Sequence, residues 1–227
     1  MALTSYQTQT ALLLHDSSNQ AFSLANLTTW INLARGQISA QGQCVRVLPT
    51  SNNTTASQEV YNYSTVNSLI SAQFSGVQGI ITVLSVAISQ AATPSAGIKP
   101  MLPRYSWGQF QAQLRAFNQG MTGYPQVFAN YGQGVNGSLY LWPIPSASYA
   151  MDWDCVCRPV DLADDSTAEA IPYPWTDVIP FYAAYYAYMN AQRDEDAKRM
   201  MEMIKLHMAV ARGTSEAPFI PSYYGTD

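Results

Sequence analysis

A helical hairpin near the C-terminus constrains the fold of this chain more than any other stretch. Alanine recurs every fourth residue at Ala183, Ala187 and Ala191, among phenylalanine and tyrosine. Residues four apart lie on one side of a helix, so these alanines predict a smooth ridge that suits close packing against a second helix. Asp177 is expected to cap this helix, so that the proline three residues later lies in the opening turn, where no backbone hydrogen bond is lost.

The second helix of the hairpin is expected to have a buried face opposite a charged one. Its apolar residues recur at the spacing of a single helical face: Ala197, Met200, Met201, Ile204, Met208 and Ala211. Acidic residues crowd its start and basic residues its end, an order that the helix dipole favours. Acid-first pairs four apart join Asp194 to Lys198 and Glu195 to Arg199, and Gly213 is expected to end the helix. The hairpin therefore indicates a structural core.

Two more helices are predicted near the N-terminus, at residues 4–15 and from a Ser23 cap to Gly42. The apolar face of the longer helix comprises Leu24, Leu27, Trp30, Ile31, Ala34 and Ile38. We expect these helices to pack with the hairpin in a helical body of residues 1–42 and 171–213.

The intervening residues 43–170 predict a β-rich lobe inserted into that body. Segments of strand character are 44–48, 60–63, 79–89, 125–131, 138–142 and 148–158, with one helix at 106–117 capped by Ser106. The pair Asn136 and Gly137 is expected to form the turn of a β-hairpin. The fold class is therefore α+β, in a single domain over residues 1–227 that ends in an extended tail at 214–227.

The scarcity of charge is the strongest compositional signal. Charged residues make up 11% of the chain, less than half of the roughly 25% usual for soluble domains. A monomer so poor in charge would be poorly soluble, which favours a protein whose surface is covered by partners in a permanent assembly. The net charge of −4 and the lack of a Lys/Arg cluster argue against a surface that reads nucleic acid.

The N-terminus has neither the basic flank and apolar run of a signal peptide nor a membrane span, so we expect a cytosolic protein or a particle assembled in the cytosol. Cys44, Cys155 and Cys157 form an odd set without a secretory context, so free thiols are expected. The last two lie two apart on a predicted strand, which we interpret as apolar core rather than as a metal site.

Six acidic residues in the second half of the chain are candidates for a cation site: Asp152, Asp154, Asp161, Asp164, Asp165 and Glu169. They lack the ordered spacing of a calcium loop, so we interpret them as a solvated acidic rim. A cytosolic metal-dependent enzyme with an acidic site at Asp152, Asp154 and Asp161 is the alternative from a different class.

Residues 106–211 carry a further pattern in their order along the chain. Its most distinctive points are YLWPIP at 140–145, Arg158-Pro159 followed by Leu162, and the hairpin with Pro174, Ala183, Ala184, Ala187 and Ala197. In these points the segment resembles the head-to-tail connector, or adaptor, proteins of tailed bacteriophages. The points are a pattern of ordinary residues rather than a chemical signature.

The resemblance implies a structural virion protein, not an enzyme, that needs no cofactor or metal. It implies a ring of roughly twelve copies in the neck of the virion, assembled in the host cytoplasm. A portal protein is expected on one side of the ring and a tail or nozzle protein on the other, with genome DNA passing through without specific binding. A tail-completion or decoration protein of the same particle is the nearer alternative.

Two sets of residues are expected to serve that role. The tail combines apolar side chains with prolines and has no helical period, so we expect it to dock on the portal through Phe219, Ile220, Pro221, Tyr223 and Tyr224. DNA slides past a wall without basic side chains, so we expect a channel lined by neutral polar loops or by acids such as Asp164 and Asp165.

Overall fold

The structure of the chain is a computed structural model that describes residues 2–50, 52–91, 98–116 and 120–215, without the side chains of residues 214 and 215. The chain divides into two compact units. The helical unit comprises Met1–Cys44 and Asp161–Asp227, and the β unit comprises Val45–Val160. The mixture of helices and mainly antiparallel sheets, with parallel pairing in two short strand pairs, confirms the predicted α+β class.

In chain order the helices are α1 (Leu3–Leu13), α2 (Leu24–Gly42), α3 (Tyr63–Gln73), α4 (Trp107–Gln109), α5 (Ile179–Asn190) and α6 (Asp194–Ser215). The strands are β1 (Arg46–Val47), β2 (Asn52–Asn53), β3 (Val60–Asn62), β4 (Val77–Ile88), β5 (Arg104–Tyr105), β6 (Thr122–Gly123), β7 (Val127–Tyr131), β8 (Ser138–Trp142), β9 (Ile144–Pro145) and β10 (Ala150–Pro159). Within the described ranges, no helix is both long and apolar enough to cross a membrane.

Helix α5 is the centre of the helical unit, where it packs against α1, α2 and α6. Ala183 and Ala187 are fully buried, which confirms the alanine ridge, whereas Ala191 is exposed just beyond the end of α5 and does not extend it. Helix α2 begins as predicted, because the Ser23 hydroxyl accepts a hydrogen bond from the Asn26 amide at 3.3 Å.

Two predicted helix ends are wrong. Asp177 does not cap α5, because it lies inside a preceding 3-10 turn, Trp175–Val178, and the helix starts at Ile179. Gly213 does not end α6, which continues to Ser215. A single glycine inside a helix lowers the stability of that helix by only about 1 kcal/mol relative to alanine, which the packing of the rest of α6 can offset.

The ion pairs of α6 also differ from the prediction. Lys198 contacts Glu195 at 2.8 Å, and Asp196 contacts both Arg193 at 2.6 Å and Arg199 at 3.8 Å. All three pairs are therefore three residues apart, whereas the predicted pairs were four apart. Both spacings place two side chains on the same side of a helix, so either pairing is possible. The apolar face of α6 is confirmed where Ala197, Ile204, Met208 and Ala211 are buried.

Strand β10 is the centre of the β unit. It pairs antiparallel with β4 along its length and with β1 and β2 on its other edge. The sequence of strand 148–158 predicts that buried side chains alternate with outward ones, and this is confirmed from Met151 to Cys155. It fails at Val156, which is only 1% exposed although it was expected to face outward. All three cysteines are free thiols, and burial raises the pKa of the Cys157 thiol to about 12.

A second sheet has the order β3-β8-β7-β5, and its β7–β8 hairpin is confirmed. The expected Asn136-Gly137 turn is wrong, because Gly137 has φ −72° and the left-handed positions are Gly132 and Gly134, at φ 73° and 60°. Gly137 is needed for packing instead, since a Cβ there would lie 2.3 Å from the Tyr63 ring.

Helix α3 was not predicted from the sequence, and the helix at 106–117 was predicted only in part. Tyr63, Val66 and Ile70 form the buried face of α3. Ser106 caps α4 through a capping box with Gln109, as expected, but the chain then continues as a π-helical turn, Phe110–Arg115.

Candidate functional site

The six acidic residues are not one group. Asp152 and Asp154 lie on β10 in the β unit, where Asp152 contacts Lys99 at 2.8 Å and Asp154 accepts a 3.0 Å hydrogen bond from Arg46 Nε. The other four lie on residues 161–170 of the helical unit, which we name the acidic segment. Across the described ranges, no three His, Cys, Asp or Glu side chains are grouped so as to hold a metal ion.

Glu169 is not part of a solvated rim, because it forms a buried ion pair with Arg35. Arg35 Nη2 and Nε donate to the two carboxylate oxygens at 2.8 and 3.1 Å, and the side chains are only 1% and 7% exposed. The Tyr6 hydroxyl donates to the same carboxylate at 2.9 Å, and the Ile171 amide donates at 2.9 Å. A buried carboxylate with this many donors is fixed in one geometry.

The same pair ties the acidic segment to two helices. Arg35 is on α2 and Tyr6 is on α1, so Glu169 joins both of them. Burial, and secondly the charge of Glu169, raise the pKa of the Tyr6 hydroxyl well above its ordinary value, so Tyr6 stays a hydrogen-bond donor.

Asn32 holds the other end of the acidic segment. Its side-chain amide donates to the Leu162 carbonyl at 3.0 Å, and its side-chain oxygen accepts from the Leu162 amide at 2.8 Å. The same oxygen accepts from Arg35 Nη1 at 3.2 Å. Residues 32 and 35, one helical turn apart on α2, therefore fix both ends of the segment.

Asp164 and Asp165, the predicted channel-lining residues, are exposed between these two anchors. Asp165 accepts hydrogen bonds from the Thr4 amide at 2.8 Å and the Thr4 hydroxyl at 2.6 Å, and so caps α1 from outside that helix. Asp164 accepts from the Ser166 hydroxyl at 2.6 Å and the Ser166 amide at 2.9 Å. These bonds hold the pKa of both carboxyls below their usual range, so both carry fixed negative charge at neutral pH.

An apolar groove lies between α1, α5 and α6. Its volume is about 470 Å³, and its lining comprises Gln9, Leu12, Leu13, Asp177, Pro180, Phe181 and His207. Phe181 stacks on His207 with ring centroids 4.6 Å apart. The predicted docking residues Phe219, Ile220, Pro221, Tyr223 and Tyr224 lie outside the residues that the structure describes.

Most basic side chains are already paired with carboxylates of the same chain. Seven of the eleven Lys and Arg side chains form such ion pairs: Arg35, Arg46, Lys99, Arg115, Arg193, Lys198 and Arg199. Each of these seven cations therefore lies within 4 Å of a carboxylate of its own chain.

The described residues thus form a helical unit and a β unit, with many ionisable groups engaged in internal ion pairs and hydrogen bonds. The match to a protein family gives the class of protein. The chain belongs to the SU10 adaptor protein family, whose sequence model matches residues 1–217. This is a family of phage head-to-tail adaptors, located in the neck of the virion, which confirms the resemblance found in the sequence. No curated protein matches the chain.

Proposed function

We propose that the whole chain acts as one adaptor domain and forms a ring of about twelve copies between the portal and the tail nozzle. Membership of the adaptor family supports the place in the virion. The charge content of only 11% supports extensive contact with other subunits, because neutral polar and aromatic surface is better suited to permanent interfaces than to solvent.

The second part of the proposal is that genome DNA passes through this ring without being held. The paired cations carry this argument. Proteins bind DNA phosphates mainly through Lys and Arg side chains. In this chain, DNA phosphates would have to compete with the protein's own carboxylates for most of these side chains. With −4 per copy, a ring of roughly twelve copies carries a charge of about −50, so duplex DNA is repelled rather than bound.

Asp164 and Asp165 are the acids that we propose for the channel wall. They are exposed and ionised, and the acidic segment that carries them is anchored at both ends by α2. Because the segment is anchored, these negative charges stay in fixed positions. They therefore repel the negatively charged phosphates of DNA.

The tail is the part that we propose to dock on the portal, through Phe219, Ile220, Pro221, Tyr223 and Tyr224. Chain termini that carry apolar side chains without a helical period are suited to lie as extended segments on a partner.

Negative-stain imaging of the chain mixed with purified portal rings tests the proposal. We expect a second ring stacked on the portal, and no retardation of a short DNA duplex by the assembled rings at physiological salt. A chain that stops after Ser215 is the matched control and should lose the stacking while keeping its circular dichroism spectrum. Attachment of the chain to the capsid surface or the distal tail would overturn the adaptor position, and tight duplex binding would overturn the non-binding channel.

A further inference from the structure

The groove between α1, α5 and α6 has a second cavity as its neighbour. This cavity, of about 270 Å³, has a mixed polar and apolar lining from α1, the loop after it and the start of α2: Thr4, Gln7, Thr8, Ala11, Leu12, Ser17, Asn19 and Leu24. Leu12 lines both cavities and is 61% exposed, so it forms a ridge between them. Two adjoining cavities on either side of a leucine ridge fit a segment that presents large apolar side chains at two places.

The chain beyond Ser215 starts close to this surface. His207, in the wall of the groove, lies eight residues before the end of α6, which is about 12 Å along the helix axis. An extended chain covers about 3.3 Å per residue, so roughly four residues are enough to return over that distance. A tail that turns back along α6 therefore brings Phe219 and Ile220 level with His207.

The composition of the tail matches the two cavities. Residues 217–225 contain no charged side chain, and their large side chains occur as two adjacent pairs, Phe219 with Ile220 and Tyr223 with Tyr224. The second pair follows the first after about 13 Å of extended chain, a span that crosses a single leucine ridge. Proline has a fixed φ, so Pro218 and Pro221 reduce the conformational entropy that this segment would lose on docking.

We propose that residues 217–224 occupy this double cavity of their own copy while the subunit is free of the portal. Phe219 and Ile220 then lie in the groove beside Phe181 and His207, and the tyrosine pair lies beyond Leu12. The contact shields Leu12, Leu13 and Phe181 before assembly and gives the tyrosine hydroxyls polar neighbours in the second cavity, and release of the tail becomes a step that precedes docking elsewhere. It depends only on the helical unit and would form whether or not the chain builds a ring.

Photo-crosslinking of the full chain tests the proposal, with p-benzoylphenylalanine in place of Phe219. At low protein concentration we expect a product with the mass of one chain, in which the probe is attached to the segment 9–13 of α1 or to α5 or α6 near His207. Leu12→Asp places a charge on the ridge and should lower this yield by about fivefold or more. Leu33→Asp, an equally exposed leucine of α2 that lines neither cavity, should leave the yield unchanged.

Two results would overturn the proposal. One is a product with the mass of two chains, since the tail would then lie on a neighbouring copy. The other is a one-chain product whose attachment points lie away from these segments, or whose yield Leu12→Asp does not reduce. Neither result depends on whether the portal binds, so the failure of this contact and the failure of the adaptor proposal are separately visible.

Discussion

Replacing Glu169 by glutamine is the sharpest single test of how the helical unit holds together. The substitution keeps the shape of the side chain but removes the charge that compensates Arg35, whose side chain is only 1% exposed. Removing one partner of a buried ion pair costs about 3–5 kcal/mol, because the remaining charge stays out of water. The glutamine oxygen still accepts one hydrogen bond, from Tyr6 or Ile171, so we expect the lower end, about 3 kcal/mol.

The assay is thermal unfolding followed by circular dichroism. For a chain of this size about 1 kcal/mol shifts the Tm by roughly 2–4 °C, so Glu169→Gln should lower it by about 6–12 °C. Glu195→Gln is the matched control, since its pair with Lys198 is 81% and 70% exposed and water screens such pairs, so its Tm should stay close to that of the parent. Adding Arg35→Met to Glu169→Gln should cost less than the sum of the single changes, because the two charges are coupled.

A Tm of Glu169→Gln within about 2 °C of the parent would refute the reasoning. The carboxylate would then not be compensating a desolvated guanidinium. Equal losses for the buried and the exposed variant would have the same meaning.

Three further outcomes are expected. Ala187→Leu should destabilise the helical unit by about 1–3 kcal/mol in thermal unfolding, because Ala187 is fully buried, whereas Ala191→Leu at an exposed position should not. The hydrogen bonds from Thr4 lower the pKa of Asp165 below 3.8, so the stabilisation that they give the fold is present above pH 3.8 and is lost as the pH falls further. The parent should therefore lose more helicity than Asp165→Asn between pH 5 and 3. Identical acid titrations of the two proteins would contradict this. Iodoacetamide should modify half-buried Cys44 well before the two β10 cysteines, which are buried and whose thiol pKa values are raised, and equal rates for all three would show that β10 is accessible.

Helices and strands were predictable where one face of the element is buried, because apolar residues then recur in the sequence at the spacing of that helix or strand. The alanines of α5 and the alternation along β10 are such cases, because burial of Ala183, Ala187 or Trp153 depends on local spacing alone. Helix α3 has the same kind of signal, since Tyr63, Val66 and Ile70 recur at helical spacing. The start of α3 has only a weak local signal, because it follows strand β3 directly and no side chain caps it.

The Arg35–Glu169 pair shows why part of the candidate site was not predictable. The two residues are 134 apart in sequence, and no local pattern links an arginine on one helix to a glutamate in a later segment. One signal was present: Arg35 follows Ala34 and lies four residues after Ile31, on the face of α2 that is otherwise apolar. A charge on a buried face requires a partner, and that requirement pointed to an acid elsewhere in the chain.

The long separation within this pair also sets the order in which the protein can be completed during synthesis. Helices α1 and α2 leave the ribosome first, and the carboxylate that Arg35 needs follows 134 residues later. At about 5–20 residues per second that interval lasts roughly 7–27 s, and the whole β unit emerges within it. A nascent chain interrupted in the β unit therefore has a bare N-terminal helical pair, with neither α5 nor Glu169 to close it. Only a chain translated through the hairpin has the residues that complete the helical unit.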